Sequence, residues 1–256
     1  MIEKFRETSF IIRQEEIAKD VYSLWLKTGQ MTDYTVPGQF INIYSRDGSR
    51  LLPRPVSICE VDHRERALRV VYRVVGKGTK EFSGYHTGRK LEILGPLGNG
   101  FPLKEKKAFL IGGGVGIPPM LYLAKELQCE KQILLGYRDE TFLTEELKKY
   151  GQVYVATEDG SSGVHGNVLD IIRTKQLEAE IIYACGPLPM LKAVKEYAKE
   201  QGIEAWISME ERMACGIGAC LGCICKSKDT DEHTNVKNKR VCKEGPVFLA
   251  EEVELS

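Results

Sequence analysis

The sequence lacks a surplus of either charge: its Lys and Arg total 36, its Asp and Glu total 36, and the formal net charge is +0. That balance leaves no electrostatic footprint for a nucleic-acid partner or an acidic membrane surface. Internal repeats and low-complexity tracts are absent, which excludes a repeat array. The opening residues, Met1-Ile2-Glu3-Lys4-Phe5-Arg6-Glu7, contain no apolar stretch. No secretory signal is therefore expected, and the expected location is cytoplasmic. Long unbroken hydrophobic runs are absent as well. Ala108 to Ala124 is uncharged, but four glycines and Pro118-Pro119 interrupt it. A membrane helix would break there, so the run reads as a strand, a loop and a helix. Histidine is scarce: His63, His86, His165 and His233 show no ligand spacing and read as surface residues.

Cysteine, by contrast, is plentiful, with 8 in 256 residues. Cys59, Cys129, Cys185 and Cys225 are scattered; Cys59, Cys129 and Cys225 read as small core residues. Cys215, Cys220, Cys223 and Cys242 are spaced C-x4-C-x2-C-x18-C. A reducing compartment keeps thiols free, so clustered cysteines point to a metal. A plant-type [2Fe–2S] centre needs four thiolates, two on each iron, and this spacing lets one tight loop supply three of them. Gly216, Gly218 and Gly222 provide the unusual backbone angles of such a loop and leave N–H groups to face sulfur. Cys242 is expected to arrive from a distant strand. A zinc site or a disulfide framework remains open at this point, although zinc ribbons pair their cysteines as two C-x2-C units.

Residues 1–101 read as β. Ser9–Arg13, Val21–Lys27, Gln39–Ser45, Val56–Val61, Leu68–Val75 and Lys90–Leu94 are short runs rich in Val, Ile and Tyr. Turn signals separate them, Gly76-Lys77-Gly78 among them, and the pattern fits a small antiparallel barrel. Residues 102–208 alternate strand and helix: strands at Ala108–Ile111, Gln132–Leu135, Gln152–Ala156, Ile181–Ala184 and Glu204–Ser208, and helices at Pro118–Gln128, Thr141–Tyr150, Asn167–Lys175 and Pro187–Gln201. That alternation predicts a parallel α/β sheet with helices on both faces. Residues 209–256 have little regular pattern and read as a small metal-held domain. Lys226–Lys239 reads as an exposed loop, and the charged stretch Leu143–Lys149 as a solvated face.

Three further motifs carry chemistry. Arg54-Pro55-Val56-Ser57 opens a barrel strand, where Arg can hold a pyrophosphate by charge-assisted hydrogen bonds. Gly112-Gly113-Gly114-Val115-Gly116-Ile117-Pro118-Pro119 follows a buried strand and opens a helix, as a nucleotide-phosphate loop does, with Gly114 and Gly116 allowing close approach. Cys185-Gly186-Pro187 ends a strand where α/β sheets bind ligands, so Cys185 could sit against a nicotinamide, with a structural turn as the alternative reading. The carboxylates of Thr157-Glu158-Asp159-Gly160 would repel a ribose 2′-phosphate, which favours NAD over NADP.

Together with Pro37-Gly38-Gln39-Phe40 and Gly95-Pro96-Leu97-Gly98, these motifs resemble, in order, those of the ferredoxin–NADP reductase superfamily. Glu211-Arg212-Met213-Ala214-Cys215 through Cys223, and Val241-Cys242-Lys243-Glu244-Gly245-Pro246-Val247-Phe248, are similar to the electron-transfer subunits of dihydroorotate dehydrogenase B. The nearest alternative family is the flavin/iron–sulfur subunit of sulfide dehydrogenases and bifurcating ferredoxin:NAD(P) oxidoreductases. It carries Asp at the first cluster position, where this chain has Cys215.

The resemblance implies one FAD, one [2Fe–2S] cluster and NAD. It also implies an FMN-containing catalytic partner, in a heterotetramer of two of each subunit. Arg54, Pro55, Val56, Ser57, Val71, Tyr72, Arg73, Gly78 and Thr79 would contact FAD; Cys215, Cys220, Cys223 and Cys242 would hold the metal. Electrons from dihydroorotate would pass from FMN through cluster and FAD to NAD in pyrimidine (UMP) biosynthesis. No catalytic acid or base is expected, because cofactors carry the chemistry. Ferredoxin clusters of this type lie near about −400 mV, and loop hydrogen bonds are expected to raise this one.

Overall fold

The computed structural model describes residues 3–230 and 235–255. His233 therefore lies outside the described residues; His63, His86 and His165 are exposed, as expected. In the N-terminal part, apolar side chains recur with strand periodicity and the strands close on themselves. β1 (Phe5–Ala18), β2 (Val21–Lys27), β3 (Phe40–Ile43), β4 (Arg54–Asp62), β5 (Ala67–Arg73) and β6 (Lys90–Leu97) form an antiparallel barrel in the order β1-β2-β5-β4-β3-β6. Leu24, Ile41, Ile43, Ile58, Leu91 and Ile93 fill its interior.

Gly76-Lys77-Gly78 is not a simple turn. Helix α1 (Lys77–Ser83) starts there, because Thr79 Oγ1 accepts from the N–H groups of Val75 and Gly76 at 3.0 and 3.2 Å. The helix then buries Phe82 against Tyr72 and Tyr85. Two glycines masked a helix that tertiary burial stabilises.

The second part runs β7 (Ala108–Gly113), α2 (Ile117–Glu126), β8 (Lys131–Tyr137), α3 (Thr144–Leu147), β9 (Gln152–Thr157), β10 (Val164–His165), α4 (Val168–Lys175), β11 (Ile181–Cys185), α5 (Leu188–Gln201) and β12 (Glu204–Ser208). Helices α2 and α3 cover one face of the sheet, α4 and α5 the other. The α3 helix is much shorter than Thr141–Tyr150. Leu143 takes a left-handed φ of 61°, and the Tyr137 hydroxyl donates to the Phe142 carbonyl at 2.6 Å, so the segment wraps before it can coil.

The last part contributes a hairpin, β13 (Ile224–Lys226) with β14 (Asn238–Arg240), and a strand β15 (Val247–Leu249). The stretch Lys226–Lys239 is thus pinned at both ends by the hairpin. Strand β15 joins the parallel sheet as an antiparallel edge against β12, in the order β10-β9-β8-β7-β11-β12-β15. The order reverses between β7 and β11, so their carboxyl ends flank a crevice.

A buried cation fastens barrel to sheet. Arg69, 3% exposed, donates to Ser23 Oγ at 2.9 Å and to both Glu146 carboxylate oxygens, with Glu60 at 3.5 Å. Lys125 of α2 reaches the same Glu60 at 3.2 Å. Glu146 is therefore part of the domain junction and not of a solvated face. Tyr122 of α2 adds a hydrogen bond to the Thr35 carbonyl at 2.9 Å. Arg69→Met should lower stability by about 3 kcal/mol, the low end for breaking a buried pair, because Glu146 remains partly in water. Urea unfolding would check this, and a loss below 1 kcal/mol, the ordinary range of surface pairs, would contradict it.

Candidate functional site

Residues 211–223 contain no helix or strand. Their path is shaped by backbone N–H groups turned toward sulfur. Ile217 and Ala219 donate to Cys215 Sγ at 3.4 and 3.3 Å, Gly218 to Cys242 Sγ at 3.1 Å, Gly222 to Cys220 Sγ at 3.4 Å, and Cys242 N–H to Cys223 Sγ at 3.4 Å. Gly216 and Gly218 hold φ of 71° and 84°, which a side chain would resist.

The four thiols influence one another in two pairs, Cys215 with Cys220 and Cys223 with Cys242. Burial raises the Cys215 thiol, but N–H donors from Ile217, Cys220 and Ala219 and the Cys220 thiol outweigh it and bring it to about 7. The Cys242 thiol, working against desolvation, lowers Cys223 to about 6, and the same interaction pushes Cys242 up. Among the described residues, no three His, Cys, Asp or Glu groups converge as one metal ion would require. Two pairs of thiols, one sulfur of each met by the successive N–H groups of Gly218 and Ala219, suit two irons with two thiolates each. Cys223 and Cys242 are buried, whereas Cys220 is exposed. Cys242 sits in the turn after β14 and not within a strand.

Two barrel asparagines hold the two halves of this segment. Asn42 on β3 donates from Nδ2 to the Cys215 carbonyl at 3.2 Å. Asn99, just beyond β6, donates to the carbonyls of Glu244 and Val247 at 2.8 and 3.1 Å and accepts from Val247 N–H at 3.2 Å. Ile41 and Ile43 point into the barrel, so Asn42 and Phe40 point out of it; Phe40 packs in the core that holds Cys223 and Cys242. Neither asparagine was singled out in the sequence. The available signal was a lone Asn between two buried isoleucines, a position that demands a hydrogen-bond partner.

On the other side of β3 the barrel opens. Arg54–Ser57 of β4 pair with Ile43–Phe40, and β4 pairs with β5 only from Ile58↔Val70 to Asp62↔Ala67. Arg54–Ser57 therefore form one lip of a cleft and Val71–Arg73 the other. Val71 and Tyr72 turn their side chains into protein, and Tyr72 stacks on Tyr22 at 5.8 Å, so this lip offers its backbone and the exposed Arg73. Gly78 closes the cleft floor: a Cβ there would lie 2.5 Å from Arg54 Nε. Thr79 is committed to the turn that starts α1. The geometry brings Arg54 and Gly78 into contact.

At the sheet's switch point, Gly114 has φ of 52° and open space at its Cβ position, whereas a Cβ on Gly116 would lie 2.2 Å from the Cys185 carbonyl. The glycine loop and the Cys185-Gly186 backbone are thus in direct contact. Burial pushes the Cys185 thiol up to about 12 despite a hydrogen bond with Ser208, its register partner on β12. Cys185 is a neutral, polarisable surface and not a nucleophile. Ser208 carried no sequence signal; register alone places it. Glu158 is exposed at the end of β9, whereas Asp159 is engaged by Ser161 N–H and hydroxyl.

Comparison with known proteins finds two matching families. The family "Iron-sulfur cluster binding domain of dihydroorotate dehydrogenase B" matches residues 210–254, and "Oxidoreductase NAD-binding domain" matches residues 110–196. The dihydroorotate dehydrogenase B (NAD(+)) electron transfer subunit of Fusobacterium nucleatum is 43% identical, over 94% of this chain and 95% of that protein. Its counterpart in Bacillus velezensis is also 43% identical, with 94% and 95% covered. Among solved structures, one of an NADH-dependent reduced ferredoxin-NADP oxidoreductase superposes with a TM-score of 0.87 at 28% identity, covering 96% of this chain and 90% of that one.

Gly216→Ala tests the site directly. Its Cβ would meet Asn42 Nδ2 at 2.3 Å in a left-handed backbone, whereas Gly202, also at positive φ, has open space. Gly216→Ala should lose more than half of its bound iron and visible absorbance, and Gly202→Ala should retain both. Equal iron content in the two variants would refute the packing argument.

Proposed function

The chain belongs to the family of dihydroorotate dehydrogenase B electron-transfer subunits, and we propose that it carries electrons from a dihydroorotate-oxidising subunit to NAD in de novo pyrimidine biosynthesis. The partner in this reading holds FMN, and two copies of each subunit form a heterotetramer in the cytoplasm. Among the described residues, no helix is long and apolar enough to cross a membrane. The division of labour is a flavin part (residues 1–101), a nucleotide part (102–208) and a cluster part (209–256).

When bound, the [2Fe–2S] cluster supplies one-electron transfer and FAD links single electrons to hydride exchange with NAD. Cys215, Cys220, Cys223 and Cys242 would hold the cluster. Arg54 would neutralise the FAD pyrophosphate beside Gly78. Pro55, Val56 and Ser57 would line the flavin on one lip, and Val71–Arg73 would meet it on the other. Gly114 and Gly116 would admit the dinucleotide phosphates, and Cys185 would support the nicotinamide as an uncharged contact.

One observation carries the reading. Strand β3 touches the cluster loop through the outward-facing Asn42 side chain, and its backbone pairs along one edge with Arg54–Ser57, Asn42 opposite Pro55. Neighbouring strands lie about 4.8 Å apart, so the flavin lip and the cluster loop are adjacent. Short spacing is what electron transfer between two cofactors requires.

Purification of the chain with its native associates tests the assignment. An FMN-containing partner with dihydroorotate:NAD activity is expected, and full activity of the isolated chain would refute the subunit reading. The Ser57 hydroxyl would hydrogen-bond the flavin, so Ser57→Ala should slow NADH-to-dye electron transfer about tenfold, the effect of losing one hydrogen bond of about 1.4 kcal/mol, with the cluster spectrum intact. An unchanged rate would remove Ser57 from the site.

A further inference from the structure

A nearly buried cation lies against the cluster loop, and no role in binding or relay uses it. Arg240 donates from Nη1 to the Gly218 carbonyl at 3.1 Å. The same peptide unit carries the Ala219 N–H, which points at Cys215 Sγ at 3.3 Å. The guanidinium, one peptide group and a cluster sulfur thus form a continuous chain of dipoles. A cation on the carbonyl end withdraws electron density from the peptide and strengthens its N–H as a donor. Gly218 N–H, on the preceding peptide, donates to Cys242 Sγ at 3.1 Å, so the loop clamped by Arg240 contacts a sulfur of each pair.

Glu244 opposes this charge. It accepts from Arg240 Nε at 3.0 Å, from Nη2, and from the Arg240 backbone N–H at 2.7 Å. The Arg240 side chain is only 11% exposed, so solvent screens the pair weakly. The other flanking cation, Lys243, lies with its stem along Gly218.

We propose that Arg240 is a positioning residue that raises the reduction potential of the cluster through the Gly218–Ala219 peptide, and that Glu244 limits how much of its charge is felt. Reduction adds one electron, and one unit of negative charge, to the iron and sulfur atoms, with no bond broken and no proton moved. Stronger N–H donation and a nearby cation favour that added charge. Such tuning suits a cluster that must exchange electrons with a flavin on the way to NAD. The inference rests on the [2Fe–2S] reading of the four cysteines.

The test is redox titration of the intact chain with its cofactors, followed by electron paramagnetic resonance of the reduced cluster. Arg240→Met should lower the one-electron equilibrium constant about tenfold, a downward shift of about 59 mV for one electron, with altered g values. Glu244→Gln should move the potential in the opposite direction, and Arg240→Lys should fall between Arg240→Met and the wild type. A merely structural pair would give no such opposition of sign. Unchanged potentials, or shifts of the same sign in Arg240→Met and Glu244→Gln, would overturn the proposal. If Arg240→Met fails to assemble a cluster, Glu244→Gln decides alone, and a potential that does not rise refutes it. Absence of a cluster signal from the wild type would refute the underlying metal reading instead.

Discussion

The structure depends on backbone N–H groups that find sulfur instead of carbonyl oxygen. Residues 211–223 build no ladder or helix among themselves, so their amides need other partners. Ile217, Gly218, Ala219 and Gly222 give theirs to cysteine sulfur. The carbonyl of Cys215 goes to Asn42, and that of Gly218 to Arg240. Every one of these bonds requires the loop to bend tightly around the thiols, and that bend requires the left-handed glycines.

This constraint propagates outward. Asn42 ties the first half of the cluster segment to β3, and Asn99 ties the second half to the end of β6. Strand β15 then continues into the parallel sheet beside β12. The cluster part is therefore stitched to both other parts of the chain. The Arg69–Glu146–Glu60–Lys125 network separately fixes barrel to sheet. These contacts tie the β4–β5 cleft, the glycine loop and the cysteine loop into one packed unit.

Much of this was legible before any coordinate. The C-x4-C-x2-C-x18-C spacing predicts one loop around a cluster, and the loop is there. Six β runs predict a small barrel, and six strands close it. The departures have physical causes. Helix α1 was hidden because Gly76 and Gly78 read as a turn, and Gly78 is there to admit the Arg54 guanidinium. Helix α3 is shorter than its charge pattern predicts, because Glu146 is recruited by a buried arginine far away in sequence.

Sequence alone determined which residue types could hold a metal, where the backbone could turn, and how strand and helix alternate. These are local properties, set by side-chain chemistry, backbone sterics and period. Only the tertiary structure decided which of those residues meet. Asn42 with Cys215, Asn99 with Val247, Arg240 with Gly218 and Cys185 with Ser208 are pairings of register and packing. No spacing rule encodes them, because each joins segments whose separation along the chain says nothing about their separation in space.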